Sequence, residues 1–115
     1  MFIAYTVVAV VLALVLAMSA RGKLVRDERI VTTLTGVGVP LGWFWWLASC
    51  EIAGAVGLLV GIFFALLGIA AAIGLILYFV GAVGTHLRAR DVKGVTTPAA
   101  LLIAAIAALV LRLAA

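Results

Sequence analysis

The fold is decided by residues 41–87, which read LGWFWWLASCEIAGAVGLLVGIFFALLGIAAAIGLILYFVGAVGTHL. These 47 residues contain one charged side chain, Glu51, and one histidine, His86. As a continuous helix the stretch would measure about 70 Å, which is more than twice the roughly 30 Å hydrocarbon core of a bilayer. We therefore predict two membrane crossings joined by a turn near residues 61–68, around Phe63 and Phe64.

The whole chain has the composition of an integral membrane protein. Of its 115 residues, 69% are hydrophobic and 10% are charged, whereas a soluble protein of this size needs far more polar surface to cover its core. The net charge of +4 does not indicate a nucleic-acid partner, because seven of the eight cations lie in two short polar segments. Cations beside membrane spans typically set topology and contact anionic lipids. The richness in Ala, Val, Leu and Gly is compatible with a bacterial cell membrane.

Four transmembrane helices are predicted, at about residues 1–20, 41–62, 65–87 and 98–113. They should form an antiparallel bundle in a single domain over residues 1–115, and the fold class is therefore an all-α membrane protein. No cation precedes the first span, and its apolar run is longer than that of a usual signal peptide, so we expect it to remain uncleaved. Between the first two spans, Ile30, Val31 and Leu34 share one helical face, which predicts a short amphipathic helix on the membrane surface. A solvated loop is the alternative.

The distribution of charge predicts how the bundle is oriented. The polar segments at residues 21–38 and 88–97 carry seven Lys and Arg residues, and a hairpin over residues 41–87 returns the chain to the same side. By the positive-inside rule, these basic loops are cytoplasmic and both termini are outside. Arg112 should reach the interface at the far end of the last span.

Aromatic and small residues mark further surfaces on the second and third spans. Trp43, Phe44, Trp45 and Trp46 are typical of an anchor at the headgroup level, with a platform that stacks on a ligand as the alternative. Small residues permit close approach of helices in lipid. Cys50, Gly54, Gly57 and Gly61 share one face of the second span. We therefore expect the bundle interior to contain the glycines of that face, together with the face of the third span that carries Gly74 and Gly81.

Four short stretches fall in a characteristic order along the chain. They are Lys23-Leu24, Gly38-Val39-Pro40, EIAGAVGLL at residues 51–59 and GAVGTHLR at residues 81–88. This order resembles the DoxX-like family of small four-helix membrane proteins, and the resemblance covers nearly the whole chain. Members include the membrane subunits of thiosulfate:quinone oxidoreductase, and distant relatives act as assembly factors for membrane receptors. The resemblance implies a redox-associated role, although a shared fold does not transfer chemistry.

The candidate ligand-binding residues are Glu51, Tyr78, His86 and Lys23, and Glu51 is the candidate catalytic residue. An ionisable residue inside a span costs roughly 2.5–3.5 kcal/mol and by default marks function. Helix rise places Glu51 and Tyr78 at similar depth, with Lys23 and His86 about 10 Å nearer the cytoplasmic side, so these cations should compensate only part of the cost of burying the carboxylate. In the alternative interpretations Glu51 is a structural hydrogen-bonding residue, His86 complements a helix dipole, and Tyr78 packs in the core.

Missing motifs narrow the function further. The single cysteine, Cys50, excludes dithiol exchange by the chain alone, one histidine cannot supply both axial ligands of a haem, and no metal-ligand cluster or phosphate-binding loop is present. We therefore predict no metal and no covalent cofactor, but a membrane subunit that faces a quinone or a lipid. Its partners would be membrane lipids and redox subunits, or further copies of itself. An assembly or scaffold protein, and a small intramembrane enzyme using Glu51 as acid or base on an apolar substrate, both remain open.

Overall fold

The computed structural model describes residues 1–115 and consists of helices joined by short connections. Four helices are long and apolar enough to cross a membrane, with the third counted together with its preceding 3-10 turn at Leu41–Trp43. A shorter helix follows the first of them, as expected from the spacing of apolar residues. The helices are α1 (Phe2–Leu24), α2 (Glu28–Gly36), α3 (Phe44–Val60), α4 (Ala65–Arg88) and α5 (Thr96–Ala114).

The four long helices form an antiparallel ring, which confirms the predicted four-helix architecture. α1 packs against α3 and α5, and α4 packs against the same two neighbours, so α1 and α4 lie diagonally opposite. The bundle measures 40 × 25 × 18 Å along its principal axes. The α3–α4 turn occupies residues 61–64, inside the region predicted for it. Both polar connections therefore lie at one end of the bundle, which we call the loop end; the α3–α4 turn lies at the tip end.

The bundle interior is built from alternating large and very small apolar side chains. Tyr5, Leu16, Leu58 and Leu75 are buried with 0–2% of their surface exposed. Between them lie alanines whose small side chains let neighbouring helices come close, namely Ala9, Ala48, Ala72, Ala105 and Ala108. The outward faces of the helices are also apolar, as a lipid-facing surface requires.

The short helix α2 is anchored at both ends by local interactions. Asp27 caps its N-terminus by accepting a hydrogen bond from the Arg29 backbone N–H at 3.0 Å, as acidic N-caps commonly do. Beyond its C-terminus the chain turns at Gly38, where φ is +92° and a side chain would be strained. The Ile30 side chain lies against Gly22 of α1, and a Cβ at Gly22 would meet it. This contact holds the apolar face of α2 against the loop end.

The prediction that glycines of both helices lie at close contacts inside the bundle holds for α3 and is wrong for α4. A Cβ added to Gly54 would meet the Leu75 side chain, and one added to Gly57 would lie 2.6 Å from the Ala71 Cβ; this part of α3 does pack closely on α4. Gly74 and Gly81, in contrast, are exposed and face open space. α4 instead turns larger side chains inward, because the middle of a four-helix ring needs side-chain volume to fill it.

At the tip end, the Arg112 side chain bonds back to the bundle. Its Nε donates a hydrogen bond to the Gly61 carbonyl at 2.9 Å, and its guanidinium lies 5.5 Å from the centre of the Tyr5 ring. The Tyr5 hydroxyl in turn donates to the Leu58 carbonyl at 2.9 Å. Carbonyls in the last turn of a helix have no backbone partner within it, and these two side chains supply the missing donors. The tip is therefore tied to both α1 and α5.

Candidate functional site

A cavity of about 780 Å³ lies at the loop end, enclosed by all four long helices and by α2. Its volume falls in the range typical of small-molecule sites, roughly 300–1,000 Å³. Apolar side chains such as Phe79 and Leu101 make up most of the wall surface, and nine polar or charged residues complete the lining. The cavity brings together all four residues that the sequence singled out, which are Glu51, Tyr78, His86 and Lys23.

Glu51 and Lys23 form a buried ion pair that ties α3 to α1. Lys23 Nζ lies 2.6 Å from Glu51 Oε1 and 2.8 Å from the Ser19 hydroxyl. The two charged side chains are 1% and 10% exposed. Buried charges of this kind persist only where they are paired and hydrogen-bonded. Ala20 and Ala48, each one helical turn before the paired residues, are almost fully buried and allow the two helices to approach.

The expected separation of about 10 Å between Glu51 and its nearest cation is wrong. α1 does not end near residue 20 but continues to Leu24, so Lys23 belongs to the helix and not to a loop above it. From this position its long side chain points along α1 and reaches Glu51 directly. The carboxylate therefore has a full counter-charge, which the sequence argument had treated as distant.

The second carboxylate oxygen of Glu51 has no partner within the protein. Oε2 is buried and accepts no hydrogen bond, although Glu51 lines the cavity. A buried polar atom without a partner costs roughly 1–3 kcal/mol, so native proteins rarely leave one unsatisfied. Oε2 is shielded from the cavity, so a donor for this open position comes from the Tyr78 hydroxyl beside Glu51, or from water or a ligand once neighbouring side chains shift.

His86 is held at the edge of the cavity by the α4–α5 connection. Its Nδ1 lies 3.0 Å from Asp91 Oδ2, and the other oxygen of Asp91 accepts the Gly94 N–H at 3.0 Å. A side chain at position 94 would meet both Asp91 and His86, so this turn requires a glycine. These contacts, the Gly94 N–H first and His86 second, hold the pKa of Asp91 below its usual value. Asp91 is thus an anion at neutral pH.

The Asp91 contact also fixes what the other ring nitrogen of His86 can do. A carboxylate beside Nδ1 favours the tautomer in which Nδ1 carries the proton, which leaves Nε2 as an acceptor when the ring is neutral. Nε2 makes no hydrogen bond within the protein and is not fully buried, while the residue as a whole is 6% exposed. Glu51 Oε2 and His86 Nε2 are therefore two unused acceptors on the walls of one cavity.

Tyr78 lies on α4 two turns before His86 and is half-buried. Its ring packs edge-to-face on Phe79, with centroids 5.0 Å apart, and its hydroxyl lies beside the Glu51 carboxylate. By helix rise, Tyr78 and His86 are separated by about 12 Å along α4. Tyr78 therefore lies deeper in the cavity than His86, on the level of Glu51, as the antiparallel pairing predicted.

Sequence reasoning missed two contributors to this site. Asp91 is not among the residues that the sequence singles out, and only its position five residues after His86 hints at the contact. Ser19 was not considered, although it precedes Lys23 by one helical turn. Trp43, predicted as an interface anchor with a ligand platform as the alternative, is exposed and also lines the cavity, while Trp45 and Trp46 pack on each other on the exposed surface, with ring centroids 4.7 Å apart. No group of three His, Cys, Asp or Glu residues comes together in a way that could hold a metal ion.

Comparison with known proteins adds one finding. A family model described as the DoxX-like family matches residues 7–108, a range that includes every residue of the site described above. Neither the curated proteins nor the solved structures give a match.

Proposed function

The chain belongs to the DoxX-like family and is a multi-pass membrane protein, and on that premise we propose that it is the quinone-facing membrane subunit of a redox-associated complex. In this proposal the cavity at the loop end receives the head group of a quinone in its reduced form. The chain would bind and orient the quinol, while the redox centre that exchanges electrons with it would reside on a partner subunit.

The observation that carries the proposal is the unpaired Oε2 of Glu51. Glu51 Oε2 is an acceptor, as is His86 Nε2, so a ligand that brings hydrogen-bond donors complements both atoms. A quinol has a hydroxyl group at each side of its ring, whereas the oxidised quinone has only acceptors there. These two unpaired acceptors on the cavity walls favour the reduced form, because buried polar groups cost free energy unless they are matched.

The electrostatics of the cavity agree with an uncharged head group. Lys23 neutralises Glu51 at a distance of 2.6 Å, and Asp91 pairs with His86 outside the cavity. Arg29, the remaining cation of the lining, is exposed at the mouth on α2. The interior thus offers no unpaired charge to a phosphate, while the apolar walls suit an aromatic ring.

A second function is favoured by the ion pair itself. Because Lys23 and Glu51 join α1 to α3, Glu51 has a structural role whatever the cavity binds. In a scaffold or assembly protein this would be its whole role, and a water molecule would occupy the open position on Oε2. A measurement of quinol binding distinguishes the two functions, because only the quinone-facing subunit should bind the ligand.

The test is a comparison of decylhydroquinone and decylquinone binding to the purified protein in detergent micelles. We expect the wild type to bind the hydroquinone more tightly. In Glu51→Gln the amide oxygen should accept from Lys23, which turns the amide N–H₂ toward the cavity. The acceptor becomes a donor, so the preference should shift toward the quinone by about threefold to tenfold, equivalent to one hydrogen bond.

Two results would count against the quinol site. Failure of the wild type to bind either compound would leave only the scaffold function. An unchanged preference in a folded Glu51→Gln variant would mean that Oε2 does not contact the head group. Equilibrium dialysis measures both affinities directly, and thermal stability provides a second readout, because ligand at about 100 times Kd stabilises a protein by about 2.7 kcal/mol.

The proposal includes an orientation in which the loop end faces the cytoplasm and both termini face outward. The basis is the excess of Lys and Arg at the loop end. In a Cys50→Ser background, a membrane-impermeant maleimide should label Ala115→Cys in intact cells and should label Lys93→Cys only after the cells are opened. Both positions are exposed, so the difference reports sidedness. Labelling of Lys93→Cys in intact cells would reverse the orientation.

A further inference from the structure

A second concave surface runs along the outside of the bundle between α3 and α4. This groove has a volume of about 710 Å³ and an almost wholly apolar lining. Its floor is made where the two helices pack closely, with Gly54 against Leu75 and Gly57 against Ala71. Its rim includes Leu67 and Leu77, which are exposed to the surroundings. It lies on the surface that faces lipid when the four helices span a membrane.

The groove and the cavity adjoin each other and together form one continuous concave surface along α3 and α4, which we call the strip. On α4 the groove is lined by Leu67, Ala71 and Gly74, and the cavity by Gly81 and Thr85. Tyr78 lies between these two sets, and with it the intervals between successive residues alternate between four and three. All six residues therefore share one face of α4.

The same spacing runs through the 3-10 turn and α3. Trp43 and Leu47 line the cavity, and Cys50, Gly54 and Gly57 line the groove. Tyr78 lines both. The cavity therefore continues into the groove past the Tyr78 ring.

We infer that the groove binds the polyprenyl or alkyl tail of the quinol whose head group occupies the cavity, with Tyr78 at the junction between the two. This inference rests on the proposed function and extends it to a second subsite. A molecule with a polar ring and a long apolar tail needs a site with one polar and one apolar subsite. The strip provides a wide end with unused acceptors and a narrow, uncharged end open to lipid. Tail and head would enter together from the bilayer, between α3 and α4.

Three glycines of α4 allow the two subsites to be blocked separately. Gly74 lies in the groove, Gly81 lies in the cavity, and Gly84 lies in neither. All three are exposed, and a Cβ at any of them would meet no neighbouring atom within 4 Å. Leucine at each position should therefore leave the fold intact while filling a different space, and Gly84→Leu is the matched control.

The experiment compares decylhydroquinone with hydroquinone itself, which has the same ring and no tail. Gly74→Leu should weaken decylhydroquinone binding by about tenfold, since the leucine competes for the tail's space, and should leave hydroquinone binding unchanged. Gly81→Leu should weaken both ligands, and Gly84→Leu neither. A decylhydroquinone with a photoreactive diazirine at the end of its tail should crosslink to Leu67, Ala70 or Leu77, as identified by mass spectrometry.

The outcomes separate this inference from the function on which it rests. If Gly74→Leu binds decylhydroquinone like the wild type, or if the diazirine labels the outer faces of α1 or α5, the tail lies elsewhere and the inference is overturned while the head-group site stands. If the wild type binds neither hydroquinone nor decylhydroquinone, the proposed function itself fails. Equal weakening of both ligands by Gly74→Leu would also overturn the tail subsite, because only one of them has a tail.

Discussion

Glu51→Ala is expected to lower the free energy of unfolding by about 3–5 kcal/mol, the usual cost of removing one partner from a buried ion pair. The cost arises because Lys23 would remain buried without its counter-charge. Lys23 is 10% exposed and has two hydrogen-bond partners, Glu51 and the Ser19 hydroxyl. Without the carboxylate, its ammonium group remains in an apolar surrounding with a single hydroxyl. Reversible unfolding in mixed micelles, followed by circular dichroism, measures the loss.

The matched control removes the stranded charge. Lys23→Met combined with Glu51→Ala should recover most of the lost stability, because an apolar side chain of similar volume often replaces a buried charge at little cost. Ser19→Ala should have a much smaller effect, since the ion pair stays. If Glu51→Ala loses less than about 1 kcal/mol, the pair behaves like an exposed one, and Lys23 must reach water in the folded protein.

Gly61→Val is expected to disrupt the α3–α4 hairpin more than any other single glycine substitution. A Cβ at position 61 would collide with the Cα of Gly68 and would lie 2.6 Å from its backbone nitrogen and 2.8 Å from the Tyr5 hydroxyl. Backbone atoms cannot move aside as a flexible side chain can, so the two helices must separate. Overpacking of this kind costs typically about 1–3 kcal/mol and occasionally more, and we expect the upper part of that range.

Gly74→Val serves as the control for Gly61→Val, because it adds the same side chain to a position with open space. It should change the free energy of unfolding only by the modest helix preference of valine over glycine. The readout is again reversible unfolding in mixed micelles. Equal losses in the two variants would show that the hairpin is not closely packed at Gly61 and Gly68.

Membrane architecture follows from the sequence because lipid imposes strict rules on it. Length and apolar content were enough to place four spans and the turn between α3 and α4, since every backbone polar group must be satisfied inside the helix. The amphipathic spacing of Ile30, Val31 and Leu34 similarly identified α2. Helix ends were less certain, because Arg21 and Lys23 suggested the end of the first span, whereas α1 continues to Leu24.

The candidate site could be predicted as a set of residues but not as a set of contacts. Glu51 and His86 stand out because ionisable groups are rare in apolar spans. Lys23 was assigned a distance from helix rise alone, and such an argument cannot include the reach of a long side chain. The pairing of His86 with Asp91 depends on the shape of a turn, which a single sequence does not specify. Whether Gly74 and Gly81 point into the bundle or outward depends on the rotation of α4 about its own axis. That rotation is set by packing against the neighbouring helices.

The hydrogen bonds that Tyr5 and Arg112 make at the tip bear on how the protein fits bilayers of different thickness. A helix terminus in hydrocarbon usually needs water or head groups for its free carbonyls. Here Leu58 and Gly61 obtain donors from within the protein, and the turn presents Phe63 and Phe64 outward. These two carbonyls therefore stay paired whether or not head groups reach them, whereas the carbonyls of Ile62 and Phe63 have no donor in the protein. In a bilayer of different thickness, the end of α3 would remain hydrogen-bonded while the turn itself keeps to the head-group level.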